Sequence, residues 1–158
     1  DEPSGDIGVG VHQGWLRGPD SSLVSSNLVG LDARIPLGPW LELRGEAYTG
    51  QAVRGLGGGG IGQLFTTTGE PVRDRGAWAQ LIVRPTTVYE FTAGCGIADP
   101  KNADLPASRQ QNAICEGSVA VRPGGPFLVA FTYRRIQTTY PTGRLLDNHL
   151  NLATGFQW

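Results

Sequence analysis

The segment Leu41-Glu42-Leu43-Arg44-Gly45-Glu46-Ala47-Tyr48 is the clearest indication of the fold class, because apolar or small residues alternate in it with polar ones without a break. Successive side chains of a β-strand point to opposite faces of the sheet. One face of this segment therefore carries only apolar or small side chains, and the other carries Glu42, Arg44 and Glu46. The segment predicts a β-strand with one apolar face and one ionic face.

The same alternation recurs along the chain, whereas the three-and-four spacing of an amphipathic helix is nowhere sustained. The alternating segments are residues 6–15, 28–35, 41–48, 77–84, 89–97, 115–122, 129–134 and 150–158. A chain of 158 residues is long enough for one domain and short for two. We therefore expect a single all-β domain, residues 1–158, with eight antiparallel strands.

The connections between these segments fall into two classes that alternate. Residues 36–39, 85–86 and 123–126 are short and have the proline and glycine of tight turns. Residues 18–22, 50–75, 98–110 and 137–144 are polar or glycine-rich and are expected to be long loops. An even strand number with short turns on one rim and long loops on the other is typical of bacterial outer-membrane barrels. The sequence thus predicts an antiparallel up-and-down transmembrane β-barrel.

The polar face of the predicted strands combines carboxylates with arginines, and the only lysine, Lys101, falls in a predicted loop. Arginine pairs bidentately with carboxylates and tolerates burial better than lysine. We therefore expect an ion-paired barrel lumen; the alternative is the solvated surface of a soluble barrel. The lumen network would contain Asp32, Arg34, Glu42, Arg44, Glu46, Arg84, Glu90, Glu116, Arg122 and Arg134.

The apolar face suits lipid better than a packed core. Small residues such as Gly45, Ala79 and Gly117 would leave voids in a soluble core, and lipid tails would fill such gaps. Aromatic residues lie near strand ends, where interfacial girdles are found. Trp40 and Trp78 are exceptions, because both fall on the polar parity. The expected partner of this face is outer-membrane lipid.

The last segment, Asn151-Leu152-Ala153-Thr154-Gly155-Phe156-Gln157-Trp158, resembles the C-terminal assembly signal of outer-membrane barrel proteins. Asn151, Ala153, Phe156 and Trp158 match that signal, with Ala153 where glycine is usual. The resemblance implies recognition by the barrel-assembly machinery and a location in the bacterial outer membrane. More loosely, residues 31–38 and 57–63 resemble the C-terminal part of larger porin-like proteins. No signal peptide opens the chain, so Asp1 is either a mature N-terminus after signal-peptide removal or an internal cut.

Several other chemistries find no support in the sequence. The formal charge of −1 is spread along the chain, which argues against nucleic acid as a partner. Residues 57–62 lack the ending of a phosphate-binding loop, and neither His12 nor His149 has a serine placed for catalysis. We therefore expect no catalytic residues, no metal and no cofactor. Cys95 and Cys115 lie on one face of neighbouring strands and are expected to form a disulfide, the alternative being two free thiols.

Three functions remain open at the level of sequence. The first is a small integral outer-membrane protein with a structural, adhesive or surface-binding role, whose surface ligand or protein partner is undefined. The second is a porin or other channel-forming barrel, or a fragment of one. The third is a soluble ligand-binding barrel of the lipocalin type.

Overall fold

The computed structural model describes residues 4–56, 64–124 and 126–156. Within them lie eight strands and two short 3-10 helices, Val53–Leu56 and Asn102–Asp104. No helix among the described residues is long and apolar enough to cross a membrane. The strands are β1 Asp6–Arg17, β2 Leu23–Pro36, β3 Leu41–Gln51, β4 Arg73–Val83, β5 Tyr89–Ala98, β6 Gln111–Val121, β7 Phe127–Tyr140 and β8 Gly143–Phe156.

All eight strands form one sheet in the order of the chain, and each pairs antiparallel with the next. The prediction of an all-β, up-and-down arrangement of eight antiparallel strands is confirmed. The predicted closure is not present, because β1 pairs only with β2 and β8 only with β7 among the described strands. Alternation assigns side chains to faces and holds each register, but it does not specify what the two outer edges pair with.

The connections correct the predicted division into short and long sides. The expected loop over residues 137–144 is wrong, since β7 and β8 continue their ladder to Tyr140↔Gly143 and leave only residues 141–142 between the strands. Gly143 has φ +148°, a conformation that glycine adopts most readily, and Pro141 suits a tight turn. Strand β2 begins at Leu23, directly after the expected connection 18–22, although its clean alternation starts only at Leu28. The genuinely long connections are 52–72 and 99–110.

Very few apolar side chains are buried among the described residues. Four of them, Ala52, Val53, Val72 and Leu105, lie in the two long connections, and the fifth, Ile82, lies in β4. The β3–β4 connection is held by a hydrogen bond in which Ala52 N donates to Val72 O at 2.9 Å. Apolar burial is therefore concentrated where the long loops meet the sheet, and the strands themselves supply almost no conventional hydrophobic core.

Candidate functional site

The two faces of the sheet differ sharply in exposure. One face of the sheet, which we call the outward face, carries apolar side chains that are exposed, such as Val11 at 77% and Leu152 at 73% exposure. On the opposite face Glu42 is buried, and most other members of the predicted ionic set lie in hydrogen-bonded ion pairs. We call this second face the enclosed face because its side chains are less exposed than those of the other face, although the sheet itself is not closed. The chain thus places its charges on the more sheltered side and its apolar groups on the open side.

Glu42 joins two arginines that face each other across β2 and β3. Arg34 and Arg44 are register partners, and Glu42 is the next residue of the same face along β3. Arg34 Nε donates to Glu42 Oε2 at 2.9 Å, and Arg44 Nε donates to Glu42 Oε1. Like charges directly opposite each other on a sheet destabilise it. The bridging carboxylate offsets that repulsion by accepting from both guanidinium groups.

A second carboxylate extends this group across β5. Arg84 Nε donates to Glu90 Oε2 at 2.7 Å, and Arg84 Nη1 also lies 3.9 Å from Glu42 Oε2. Arg122 Nη2 approaches Glu90 Oε2 at 4.0 Å. Arg84 therefore links the two carboxylates into one continuous network. We call the network the arginine cluster; it consists of Arg34, Glu42, Arg44, Arg84, Glu90 and Arg122.

The remaining members of the predicted lumen network divide into one ion pair and two carboxylates. Glu116 and Arg134 are register partners on β6 and β7, and Arg134 donates to Glu116 Oε2 through Nη2 at 2.8 Å and Nε at 3.0 Å. Asp32 and Glu46 face each other across β2 and β3. Neither has a described arginine, lysine or histidine within ion-pair distance.

A hydrogen bond explains why Trp78 lies on the polar face, which its position in the sequence alone does not explain. It is the register partner of Glu46 on β4, and its indole Nε1 donates to Glu46 Oε2 at 3.3 Å. Trp40 lies in the turn between β2 and β3, where its carbonyl oxygen accepts a hydrogen bond from Arg84 N. The carboxylate at position 46 thus gains a neutral donor in place of an arginine.

Sequence reasoning missed a second group of ion pairs, at the end of the sheet that bears the long loops. Arg73 at the start of β4 donates to Asp104 Oδ2 through Nε at 2.9 Å and also reaches Asp104 Oδ1 through Nη2. The hydrogen bond from the Arg73 side chain lowers the pKa of Asp104 below its usual value. Arg75 pairs with Asp99 at 2.6 Å. No local signal connects these residues, because they are 31 and 24 positions apart.

A cavity of about 730 Å³ opens at this same end and includes Arg73, Arg75 and Lys101 in its wall. Asp74 and Asp99 line it as well, and Asp104 neutralises Arg73 from an adjacent position. The three cations are therefore matched by three carboxylates. Because its positive and negative charges balance, this cavity has no electrostatic preference for an anion or a cation.

The predicted disulfide is present in the structure. Cys95 and Cys115 are register partners on β5 and β6, their Cα atoms are 4.1 Å apart, and their sulfur atoms are bonded. Both cysteines lie on the open outward face. The bond ties together the two strands that flank the 99–110 connection.

The residues that resemble an assembly signal lie along β8, with one exception. Asn151 and Ala153 face Thr132 and Ala130 of β7 on the enclosed face. The ring of Phe156 is 4.8 Å from that of Phe127. Trp158 lies outside the described residues, as do residues 57–63, which carried part of the looser resemblance.

The histidines do not gather around a common centre. His149 Nε2 lies 2.8 Å from Asp147 Oδ2 on the exposed β8. His12 lies on β1, and a Cβ atom added to Gly14 would approach its Nε2 atom to 2.9 Å. Among residues 4–56, 64–124 and 126–156, no group of three or more His, Cys, Asp and Glu side chains is arranged to hold a metal ion.

Comparison with known proteins gave no match: no family model, no curated protein and no solved structure is significantly similar to this chain.

Proposed function

We propose that this chain is an integral β-barrel protein of the bacterial outer membrane, with a structural, adhesive or surface-binding role and no catalytic activity. The single observation that carries the proposal is the inverted distribution of side chains. Val9, Val11 and Leu152 are each more than 70% exposed, while Glu42 is buried among arginines. In water this arrangement is costly, whereas in a bilayer the exposed apolar face is covered by lipid.

Strand length supports the proposal. The strands contain 10 to 14 residues each. A tilted transmembrane strand needs about 9 to 11 residues to cross the hydrocarbon layer. Every strand of the sheet therefore has the length required to span a membrane.

The outward face also turns polar toward the long loops, as a membrane boundary requires. Near the long loops, Asn27 of β2 pairs with Gln51 of β3, and Gln51 pairs in turn with Arg73 of β4. Val29 pairs with Thr49, and Thr49 pairs with Arg75. These rows replace aliphatic side chains with amide, hydroxyl and guanidinium groups, which suit the polar headgroup layer.

The proposal requires partners for the two outer edges. Unpaired backbone N–H and C=O groups are not tolerated within a bilayer, so β1 and β8 must each gain a neighbour. In an up-and-down sheet of eight strands, the first and last strands run in opposite directions. Antiparallel pairing of β1 with β8 would close the barrel, assisted during biogenesis by the barrel-assembly machinery.

Transfer into lipid tests the proposal. We expect the denatured protein to fold in nonionic detergent micelles or lipid vesicles, to show a heat-dependent shift in electrophoretic mobility, and to resist trypsin when folded. The matched control is dilution into buffer without detergent, where we expect aggregation. A folded, soluble monomer in detergent-free buffer would contradict the proposal and favour the lipocalin-type alternative.

A channel is the second candidate, favoured by one observation. The arginine side chains of the enclosed face retain 33% to 44% exposure, so they are not packed into a solid plug in the open sheet. A barrel with more than eight strands would leave water beside them. Such a barrel would need additional strands between β8 and β1.

A further inference from the structure

The arginine cluster carries more positive than negative charge. It contains four guanidinium groups, those of Arg34, Arg44, Arg84 and Arg122, and two carboxylates, those of Glu42 and Glu90. Two positive charges are therefore not matched within the network. Neighbouring guanidinium groups repel one another, and a bound anion would reduce that repulsion. The excess indicates that the cluster is suited to an anion.

The geometry leaves hydrogen-bond donors available on the side away from the carboxylates. Arg34 and Arg44 both use Nε to reach Glu42, and no described residue accepts a hydrogen bond from their Nη atoms. Arg122 makes only a 4.0 Å approach to Glu90. The Glu42 side chain is 7% exposed, whereas the Arg34 and Arg44 side chains are 44% and 41% exposed. The guanidinium groups cover the carboxylate and leave their outer N–H groups accessible on the enclosed face.

Three further carboxylates, those of Asp6, Asp32 and Glu46, lie on this face, but none makes an ion pair with the four arginines of the cluster. Asp6 is the register partner of Arg34 on β1, but its carboxylate makes no ion pair with that arginine, and including it still leaves one positive charge. Glu116 is matched by Arg134. Asp32 and Glu46 belong to the neighbouring register row, and Glu46 accepts from Trp78. The turn end of the enclosed face therefore stays cationic.

We propose that the arginine cluster binds an oxyanion, such as the phosphate group of a small solute, on the enclosed face near the turns that join β2 to β3 and β4 to β5. Guanidinium groups match a tetrahedral or planar oxyanion through paired N–H donors. The oxyanion accepts hydrogen bonds from the outer N–H groups of Arg34 and Arg44, which are register partners, and offsets the excess positive charge of the cluster. This goes beyond the proposed function, because it needs only the register and the ion pairs of the sheet.

The test is calorimetric titration of the folded protein with inorganic phosphate, in nonionic detergent that carries no phosphate group. The double variant Arg34→Gln/Arg122→Gln removes both excess charges. It still leaves Glu42 with Arg44 and Arg84, and Glu90 with Arg84. We expect its phosphate affinity to fall about ten-fold or more, since a hydrogen bond to a charged group contributes on that scale. Glu90→Gln raises the excess and should tighten phosphate binding.

Arg144→Gln, which removes an exposed cation from the start of β8, is the matched control and should bind phosphate as the parent protein does. Mobility shift on heating verifies that each variant is folded. The inference is overturned if the parent protein binds no phosphate, or if Arg144→Gln weakens binding as much as the double variant. A protein that binds phosphate but stays folded without detergent would retain this inference and refute the membrane proposal.

Discussion

At the scale of single residues, the enclosed face depends on arginines that pair with carboxylates, of which Glu42 is buried. Glu42 is only 5% exposed and is stabilised in its charged form by Arg34 and Arg44. Removing one partner from a buried ion pair costs far more than the pair contributes, because a charge then remains without compensation. Glu42 retains a guanidinium partner after loss of either arginine, so the shared arrangement protects the fold against single substitutions.

Two glycines of the enclosed face are expected to respond in opposite ways to substitution by alanine. A Cβ atom at Gly50 would lie 2.2 Å from Asn27 O and 2.9 Å from Leu28 Cα, both backbone atoms of β2, whereas one at Gly10 would meet no atom within 4 Å. We expect Gly50→Ala to lower the free energy of unfolding by about 1–3 kcal/mol, since the backbones must separate. Gly10→Ala should be neutral or slightly stabilising.

Urea titration of both glycine variants in micelles, followed by tryptophan fluorescence, measures the difference. The Gly10→Ala protein serves as the control for adding a methyl group to this face. Equal unfolding midpoints would show that β2 and β3 do not approach as closely at Gly50 as the structure indicates.

The Asp104–Arg73 pair predicts a pH-dependent attachment of the 99–110 connection. Arg73 lowers the pKa of Asp104 in the folded protein, so the carboxylate's contribution is complete above its unfolded pKa of about 4 and is lost as pH falls through the lower folded value. Arg73 N also donates to Asp104 Oδ2 at 3.0 Å. We expect protection of the Arg73 amide from hydrogen exchange to decline over that acidic range.

Hydrogen exchange of Asp104→Asn, measured beside the parent protein, provides the control for the pH prediction. The variant should show protection of the Arg73 amide that does not change with pH, because its side chain has no titrating group. A parent protein whose protection at Arg73 is unchanged below pH 4, once corrected for intrinsic exchange, would contradict the assignment.

At the scale of elements, β8 tests which face meets lipid. Leu152 pairs with Phe131 on the outward face and is 73% exposed, while the adjacent Ala153 pairs with Ala130 on the enclosed face. An arginine near the bilayer midplane on the lipid face costs about 2–4 kcal/mol. We expect Leu152→Arg to reduce stability in lipid vesicles by that amount and Ala153→Arg to reduce it less.

The two β8 variants differ by one position in the same strand, so each controls for the other. Stability is measured from reversible denaturant unfolding in vesicles. Equal penalties, or a larger penalty for Ala153→Arg, would invert the two faces and support a soluble barrel.

At the scale of the whole molecule, the charged side chains of the enclosed face predict whether the protein conducts ions. A closed barrel of eight strands has an interior only wide enough for its side chains. The arginine cluster and the Glu116–Arg134 pair would occupy that space. As a closed monomer, the 158-residue protein should therefore give no large, stable conductance in a planar bilayer.

The outcome of the bilayer experiment also separates the two proposed functions. Protein that inserts into vesicles but gives no steady current supports the small barrel. Steady ohmic channels of porin size from the same preparation would show that β1 and β8 pair with further strands, from other copies of the chain, around a wider pore. The double variant Arg34→Gln/Arg122→Gln would then reveal whether the arginine cluster sets the ion preference.

The residue pattern alone is sufficient to assign the class of element, the antiparallel order and the face on which the charges of the predicted segments lie. Alternation is sufficient for this, because the period of a strand is two residues and a shift of one residue would exchange the faces. It therefore anticipated that Cys95 and Cys115 share one face of neighbouring strands and that Glu116 and Arg134 share the other face. It missed the end of β7, since Ile136–Tyr140 lacks clean alternation and only the ladder to β8 extends that strand.

The way in which the charges combine and the ends of the sheet are evident only in the folded molecule. Arg84 bridges Glu42 and Glu90, Trp78 donates to Glu46, and Asp104 reaches Arg73 across 31 positions. These contacts depend on register across several strands and on the path of long loops, neither of which leaves a local pattern in the sequence. The open edges of β1 and β8 have the same origin, because pairing at an edge is a property of the assembled sheet and not of either strand alone.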